Sequence, residues 1–172
     1  MLSALENTSI KLEALKIITH PDYGSHGGHA NDIALIRIKK ITGWPTYMRP
    51  ICLPKEEDMF EGGNLCLVAG WGATEDENIS RHVSHDYLCV ILYDSYTITN
   101  FKLKYTIVPK LDQSVCDKWS ILSFIDHNKE FCAGWEDGGS DSCTGDSGGP
   151  LICRYGNTWK MNGIVSWGEG IG

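Results

Sequence analysis

The sequence has few basic residues and no long apolar segment. Its 15 Lys and Arg residues are outnumbered by 22 Asp and Glu residues, which gives a formal net charge of −7. A chain of this sign repels phosphate backbones, so nucleic acid is not expected as a partner. The longest apolar run, Leu88 to Leu92, is far shorter than the roughly 20 residues that cross a bilayer. We therefore predict no membrane span in this chain.

An export signal is also missing. Met1 to Glu6 offers neither the basic start nor the apolar core of a signal peptide. Yet seven cysteines in 172 residues are typical of a chain that folds in an oxidising compartment. Two glycosylation sequons, at Asn7 and Asn78, agree with that compartment. The combination indicates a chain from an oxidising compartment and is a first indication that its N-terminal part is not included in this sequence.

Short apolar runs separated by Gly and Pro indicate an all-β chain. One such run begins with Asp32 and continues as a buried apolar strand to Ile38. Two interpretations of Asp32 are equally open on the residues alone. It either caps the N–H groups of a turn that starts the strand, or it orients a catalytic imidazole.

The most specific stretch is Asp141-Ser142-Cys143-Thr144-Gly145-Asp146-Ser147-Gly148-Gly149-Pro150. It places one serine among glycines. A nucleophilic serine needs a sharp turn to expose its hydroxyl and free N–H groups beside it to bind an oxyanion. Glycine permits both, because it tolerates positive φ and close approach of other backbone. The alternative is the elbow of an α/β-hydrolase, which needs a histidine further along the chain. No histidine follows Ser147, so we discard that alternative.

This stretch resembles the active-serine segment of the trypsin/chymotrypsin family of serine proteases, whose triad is a standard template. The resemblance extends to the strand after Asp32, to Cys66 to Gly72 and to Ser166 to Gly168. It implies two antiparallel β-barrels that hydrolyse peptide bonds through an acyl-enzyme. Ser147 is then the nucleophile, and Asp32 is the residue that orients the histidine.

The resemblance also implies the remaining site residues. The N–H groups of Gly145 and Ser147 form the oxyanion hole, and Asp146 pairs with an activated N-terminus. Asp141 lies at the base of the specificity pocket and attracts a substrate Arg or Lys. The other expected substrate contacts are Ser142, Ser166, Trp167 and Gly168. The expected partners are protein or peptide substrates with Arg or Lys, and protease inhibitors. No cofactor or metal is expected, since the histidines near Asp22 match no closed zinc pattern.

Only some of the cysteines have an expected disulfide partner. The resemblance implies disulfides between Cys66 and Cys153 and between Cys116 and Cys132. It leaves Cys52, Cys89 and Cys143 without partners in this chain.

The catalytic base is the main element that the resemblance requires and the sequence lacks. In the family, the histidine precedes the aspartate in a small-residue turn ending in His-Cys. None of the six histidines stands in that context. No Ile-Val start is present either, so we expect Asp146 to turn toward solvent and the oxyanion hole to collapse.

The predicted domains are 1–58, a partial first barrel with a linker, and 59–172, a second barrel with an insertion near 82–102. Half of the first barrel and the last segment of the second are expected to be missing. The insertion is either a surface loop or misjoined coding sequence, and its apolar character favours the second explanation. We thus predict a trypsin-like endopeptidase whose chain alone is inactive; the alternative is a non-catalytic, protease-like binding protein or fragment.

Overall fold

The computed structural model describes residues 10–25, 29–58, 60–73, 103–119 and 125–168. The predicted insertion at 82–102 and the sequons at Asn7 and Asn78 lie outside these residues. The chain folds as two compact units that divide after Pro50. The domain boundary placed between residues 58 and 59 stays a prediction.

The first unit contains one two-stranded antiparallel sheet. Strand β1 (Ala14–Thr19) pairs with strand β2 (Ala34–Ile38), and Ile17 lies opposite Ile36. Both strands are exposed along their whole length, and Leu35 keeps 67% of its surface in contact with solvent. The prediction that the strand after Asp32 is buried is therefore wrong for this structure. A sheet of two strands buries a face only where a second layer covers it, and no described residue buries these strands.

The second unit is built on a four-stranded antiparallel sheet. Its strands, in the spatial order β4-β3-β5-β6, are β3 (Leu65–Gly70), β4 (Lys104–Pro109), β5 (Pro150–Tyr155) and β6 (Thr158–Ile164). Helix α1 (Gln113–Trp119) is the only helix among the described residues. The prediction of an all-β chain is confirmed. Within the described residues the sheet does not close into a barrel.

The core of this unit lies on one face of the sheet. It consists of residues at alternate positions of three adjacent strands, because successive side chains of a strand point to opposite faces. They are Cys66, Val68, Val108, Leu151 and Cys153, all at most 6% exposed. Phe60, Ala133, Tyr155 and Val165 pack around them. The core thus fastens β3 to both of its neighbours.

Two disulfides have the pairs that the resemblance implied. Cys66 lies directly opposite Cys153 in the β3–β5 ladder, and the bond joins the two strands at that position. Cys116 of α1 is bonded to Cys132, 16 residues further on, which adds about 3 kcal/mol in the chain-entropy account. Cys52 is free and exposed. Cys143 is disulfide-bonded, so the expectation that it has no partner is wrong.

An ion pair holds the start of the second unit to β6. The Lys160 ammonium lies 2.5 and 2.6 Å from the two carboxylate oxygens of Asp58, and both side chains are largely buried. The Met161 N–H also donates to the Cys52 carbonyl over 2.9 Å. The hydrogen bond from Lys160 lowers the pKa of Asp58, and the Lys55 N–H lowers it further. The segment that precedes the sheet is therefore part of this unit's packing.

The segments before the serine segment and after β6 contribute little further strand. Strand β6 ends at Ile164, and Phe131 to Gly134 forms only a single bridge, between Ala133 and Lys110.

Core packing makes a first testable prediction. Val108 is 1% exposed and contributes to the core, whereas the preceding residue, Ile107, points to the other face and is 49% exposed. Val108→Ala should lower the free energy of unfolding by about 2 kcal/mol, through lost burial and a residual cavity. Ile107→Ala is the matched control and should cost well under half as much. Urea denaturation measures both; equal losses would contradict the assignment of the two faces.

Candidate active site

The serine segment turns sharply between two left-handed glycines. Gly145 has a φ of +98° and Gly148 a φ of +80°, values that residues with a side chain rarely adopt. The turn is closed by the Asp146 N–H, which donates to the Cys143 carbonyl over 2.9 Å, and by the Gly149 N–H, which donates to the Asp146 carbonyl over 2.8 Å. Ser147 lies between the two glycines and is exposed. The backbone thus presents its hydroxyl to solvent.

The N–H groups beside the serine take no part in the backbone hydrogen bonds that hold the turn. Within the part of the chain that the structure describes, neither Gly145 N nor Ser147 N donates a hydrogen bond, and the Ser147 hydroxyl makes none. A glycine-rich turn with N–H groups that are not used in this way is suited to bind a negatively charged oxygen.

Asp146 points into the protein. Its Oδ1 accepts a hydrogen bond from the Gly72 N–H at 2.7 Å, and its Oδ2 accepts one from the Cys143 N–H at 3.0 Å. The expectation that Asp146 turns toward solvent is therefore wrong. Backbone N–H groups bind a carboxylate strongly, and here two of them bind the carboxylate that the resemblance pairs with an ammonium.

The segment Gly70 to Ala73 contacts the serine segment, and sequence reasoning missed this contact. The Ala73 N–H donates to the Thr144 carbonyl over 2.9 Å. A Cβ at Gly72 would lie 2.6–2.7 Å from the carboxylate atoms of Asp146, and a Cβ at Gly70 would overlap the same group. The available signal was the pair of glycines around Trp71. These two glycines leave the space that the carboxylate occupies.

Sheet register explains why these two segments meet. Strands β3 and β5 are antiparallel, with Val68 opposite Leu151, so the end of β3 lies beside the start of β5. Gly70 to Ala73 leaves β3 at that edge, and the serine segment enters β5 there. The Cys66–Cys153 disulfide holds the same two strands in this register.

Asp141 lies at the start of the serine segment. Its Oδ1 accepts hydrogen bonds from the Ser142 N–H at 2.7 Å and from the Ser142 hydroxyl at 3.4 Å. Its Oδ2 approaches Gly134, where a Cβ would lie 3.8 Å away. The residue keeps contact with solvent, yet surrounding protein removes enough water from the carboxyl to raise its pKa. The hydrogen bonds from Ser142 oppose this rise, and the charge of Asp146 adds to it.

The segment after β6 is tied to the serine segment. The Gly148 N–H donates to the Val165 carbonyl over 2.7 Å, and the Val165 N–H donates to the Gly149 carbonyl over 2.9 Å. Ser166 and Trp167 follow at once and are half-buried, and Gly168 is exposed with open space around its Cα. The structure therefore ties Val165, the residue just before these three predicted residues, to the serine segment.

Asp32 belongs to the first unit. It follows Asn31, whose φ of 59° is left-handed. The Asp32 N–H donates to the His29 carbonyl over 3.2 Å, and its side chain is exposed. The described histidines have other contacts: His20 Nδ1 accepts from the Asp22 N–H at 3.1 Å, and His127 Nε2 lies 2.7 Å from an Asp117 oxygen. In residues 10–168, excluding the undescribed gaps, no three His, Cys, Asp or Glu side chains cluster as metal ligands would.

Comparison with known proteins identifies the class to which this fold and site belong. A family model for trypsin matches residues 2–172. Transmembrane protease serine 5 from Homo sapiens is 37% identical over 155 residues, which are 90% of this chain and 30% of the length of that relative. The chain therefore belongs to the trypsin family of serine proteases, and its all-β architecture is chymotrypsin-like. In the described part of the chain, no helix has the length and apolar character to span a bilayer.

The raised pKa of Asp141 predicts a pH-dependent effect of Asp141→Asn. Ionising this carboxyl costs more in the folded chain than in the unfolded one. Its contribution to stability is therefore full below the unfolded-state pKa, about 3.9, and declines as the pH rises through the folded-state pKa. Relative to the parent, Asp141→Asn should gain stability between about pH 3 and about pH 7.

Urea denaturation at both pH values measures this gain. Asp137→Asn, an exposed change on the same loop, serves as the control and should show a smaller one. A difference between Asp141→Asn and the parent that is constant with pH would contradict the proposed desolvation.

Proposed function

We propose that this chain carries the nucleophile and the specificity pocket of a serine endopeptidase that cleaves peptide bonds after Arg or Lys. The observation that carries the proposal is the exposed Ser147 between two left-handed glycines, with the N–H groups of Gly145 and Ser147 unbonded among the described residues. Membership of the trypsin family supports the same reaction.

In this proposal, Ser147 Oγ attacks the scissile carbonyl carbon and a histidine imidazole accepts the hydroxyl proton. The N–H groups of Gly145 and Ser147 donate to the oxyanion that forms. The imidazolium then protonates the leaving amine, and water hydrolyses the acyl-enzyme by the reverse sequence. Asp32 accepts a hydrogen bond from the imidazole and stabilises its charged form. Asp146 holds the turn that presents both N–H groups.

Specificity comes from Asp141 in this proposal. Its carboxylate pairs with the guanidinium or ammonium of the substrate side chain, and Ser142 orients it through the hydrogen bonds already described. Ser166 and Trp167 offer backbone groups to the substrate chain, and Gly168 leaves the pocket mouth open. Protease inhibitors that present an Arg or Lys are expected to bind at the same place.

The chain by itself is proposed to be inactive, because none of its six histidines stands in the context of a catalytic base. Loss of the base in a related triad costs about a millionfold in turnover. We further propose that the protein acts outside the cell, where its disulfides are stable. The proposal includes the division of the chain into the domains 1–58 and 59–172. It also includes the interpretation that this chain is shorter than the complete enzyme. The chain spans about 30% of the length of the curated relative described above.

The second candidate is a non-catalytic binding protein in which the sheet of the second unit presents loops. The free, exposed Ser147 and the intact Asp141 favour the enzyme. An upstream exon that encodes a histidine turn would decide for the enzyme, whereas a complete transcript without one would decide for the binding protein.

Labelling with a fluorophosphonate tests whether Ser147 is activated. The 172-residue chain should show no stoichiometric labelling, because a neutral serine without a base reacts slowly. Peptide mass spectrometry locates any label, and Ser147→Ala is the control. Adding imidazole as an external base should increase labelling at Ser147 and leave Ser147→Ala unlabelled. Full labelling without imidazole would show that the chain contains a base and that the proposed inactivity is wrong.

Binding of benzamidine, an aromatic amidine that carries the cationic group of Arg, tests the pocket without requiring catalysis. At ten times its Kd, a ligand stabilises the folded state by about 1.4 kcal/mol, or about 3–5 °C in Tm for a chain of this size. Asp141→Asn should abolish the shift, and the shift should fall as Asp141 is protonated at low pH. An equal shift in Asp141→Asn would mean that Asp141 does not recognise the cation.

A further inference from the structure

The turn that carries Ser147 depends on a residue far from it in sequence. Asp146 has two carboxylate oxygens, and each accepts one backbone hydrogen bond: Oδ2 from Cys143 within the turn, and Oδ1 from Gly72 after β3. The first bond shapes the turn, whereas the second ties it to the sheet. Gly72 N is therefore the donor that sets where the turn sits relative to β3.

Gly72 also fits this place for a steric reason. A Cβ there would lie 2.6 Å from Cγ and Oδ1 of Asp146 and 2.7 Å from Oδ2. These separations are far below van der Waals contact, so any side chain at position 72 displaces the carboxylate. Gly145 also lies close to Gly72, because a Cβ at Gly145 would lie 3.2 Å from the Gly72 Cα.

We propose that Gly72 is a positioning residue for the serine turn: its N–H fixes the Asp146 carboxylate, and its missing side chain leaves room for that carboxylate. Gly72 acts through Asp146 on the backbone between Gly145 and Ser147, which carries the proposed oxyanion donors. The inference rests on the proposed function only for the part that Gly72 plays in catalysis. Its part in positioning the turn does not require that Ser147 react.

The neighbouring hydrogen bond supports this assignment. The Ala73 N–H donates to the Thr144 carbonyl over 2.9 Å, so two consecutive residues of one segment donate to the serine turn. One donor binds a side-chain oxygen and the other a backbone oxygen. Together they fix both the orientation and the distance of the turn from the end of β3.

Amide hydrogen exchange of the 172-residue chain, read by mass spectrometry on peptides that cover 143–148, tests the proposal. Gly72→Ala should speed local exchange by about tenfold or more, because the turn opens once Asp146 is displaced. Asp146→Ala should have a similar effect. In the Asp146→Ala background, Gly72→Ala should add less than about twofold, since the carboxylate through which it acts is already absent. Multiplicative effects in the double variant would overturn the proposal.

Two further variants keep the test decisive. Gly63 also has a left-handed φ, +81°, and open space around it, so Gly63→Ala introduces strain away from the turn. It should lower global stability in urea without speeding exchange in 143–148 beyond that global change. Asp146→Asn keeps one oxygen acceptor and loses the other, and it should give an intermediate increase even if Gly72→Ala does not fold. Unchanged exchange in 143–148 for Asp146→Asn would overturn the proposal.

Reactivity of Ser147 separates this inference from the proposed function. If the exchange results hold and neither imidazole-assisted labelling nor benzamidine binding is seen, the enzyme proposal fails while the role of Gly72 stands. If labelling and binding are seen but the double variant is multiplicative, the role of Gly72 fails alone.

Discussion

The pair of hydrogen bonds that backbone N–H groups donate to Asp146 is the interaction on which the candidate site depends. A partly desolvated carboxylate is stabilised by charge-assisted hydrogen bonds. Here Gly72 and Cys143 supply them to the half-buried Asp146. These bonds turn the Asp146 side chain toward the protein, while Ser147 stays exposed. The exposure of the serine and the inward side chain of its neighbour are thus two consequences of one arrangement.

That arrangement is possible because of the sheet. Strands β3 and β5 are direct neighbours and antiparallel, so the residues after Gly70 and the residues before Pro150 emerge at the same edge. The Cys66–Cys153 disulfide and the core side chains hold this register. A shift by one residue would exchange the faces of both strands, and Gly72 would no longer meet Asp146. The core of the second unit therefore holds the two segments of the candidate site in place.

The resemblance to the trypsin/chymotrypsin family implied the two disulfide pairs. Sequence reasoning identified the serine turn and the all-β class from local evidence, namely the glycines around Ser147 and the short apolar runs separated by Gly and Pro. It was wrong where the answer depends on distant partners. Asp146 was expected in solvent because only an ammonium was considered as its partner, and a backbone N–H 74 residues away leaves no mark in local sequence.

Burial was misjudged for a similar reason. The run after Asp32 has the composition of a buried strand, yet β2 is exposed in this structure. A strand is buried only where a second layer covers it, and the composition of the strand does not show whether that layer is present. The bonded state of Cys143 likewise depends on which cysteine approaches it in space.

The sequence by itself indicated the class of protein, because the stretch from Asp141 to Pro150 resembles the active-serine segment of the trypsin/chymotrypsin family. Only the tertiary structure decided how the turn is held. The donor to Asp146 is a backbone N–H, which every residue except proline possesses, and nothing in the identity of Gly72 says whose carboxylate it meets. Strand register brings the two together, and register is a property of the folded sheet.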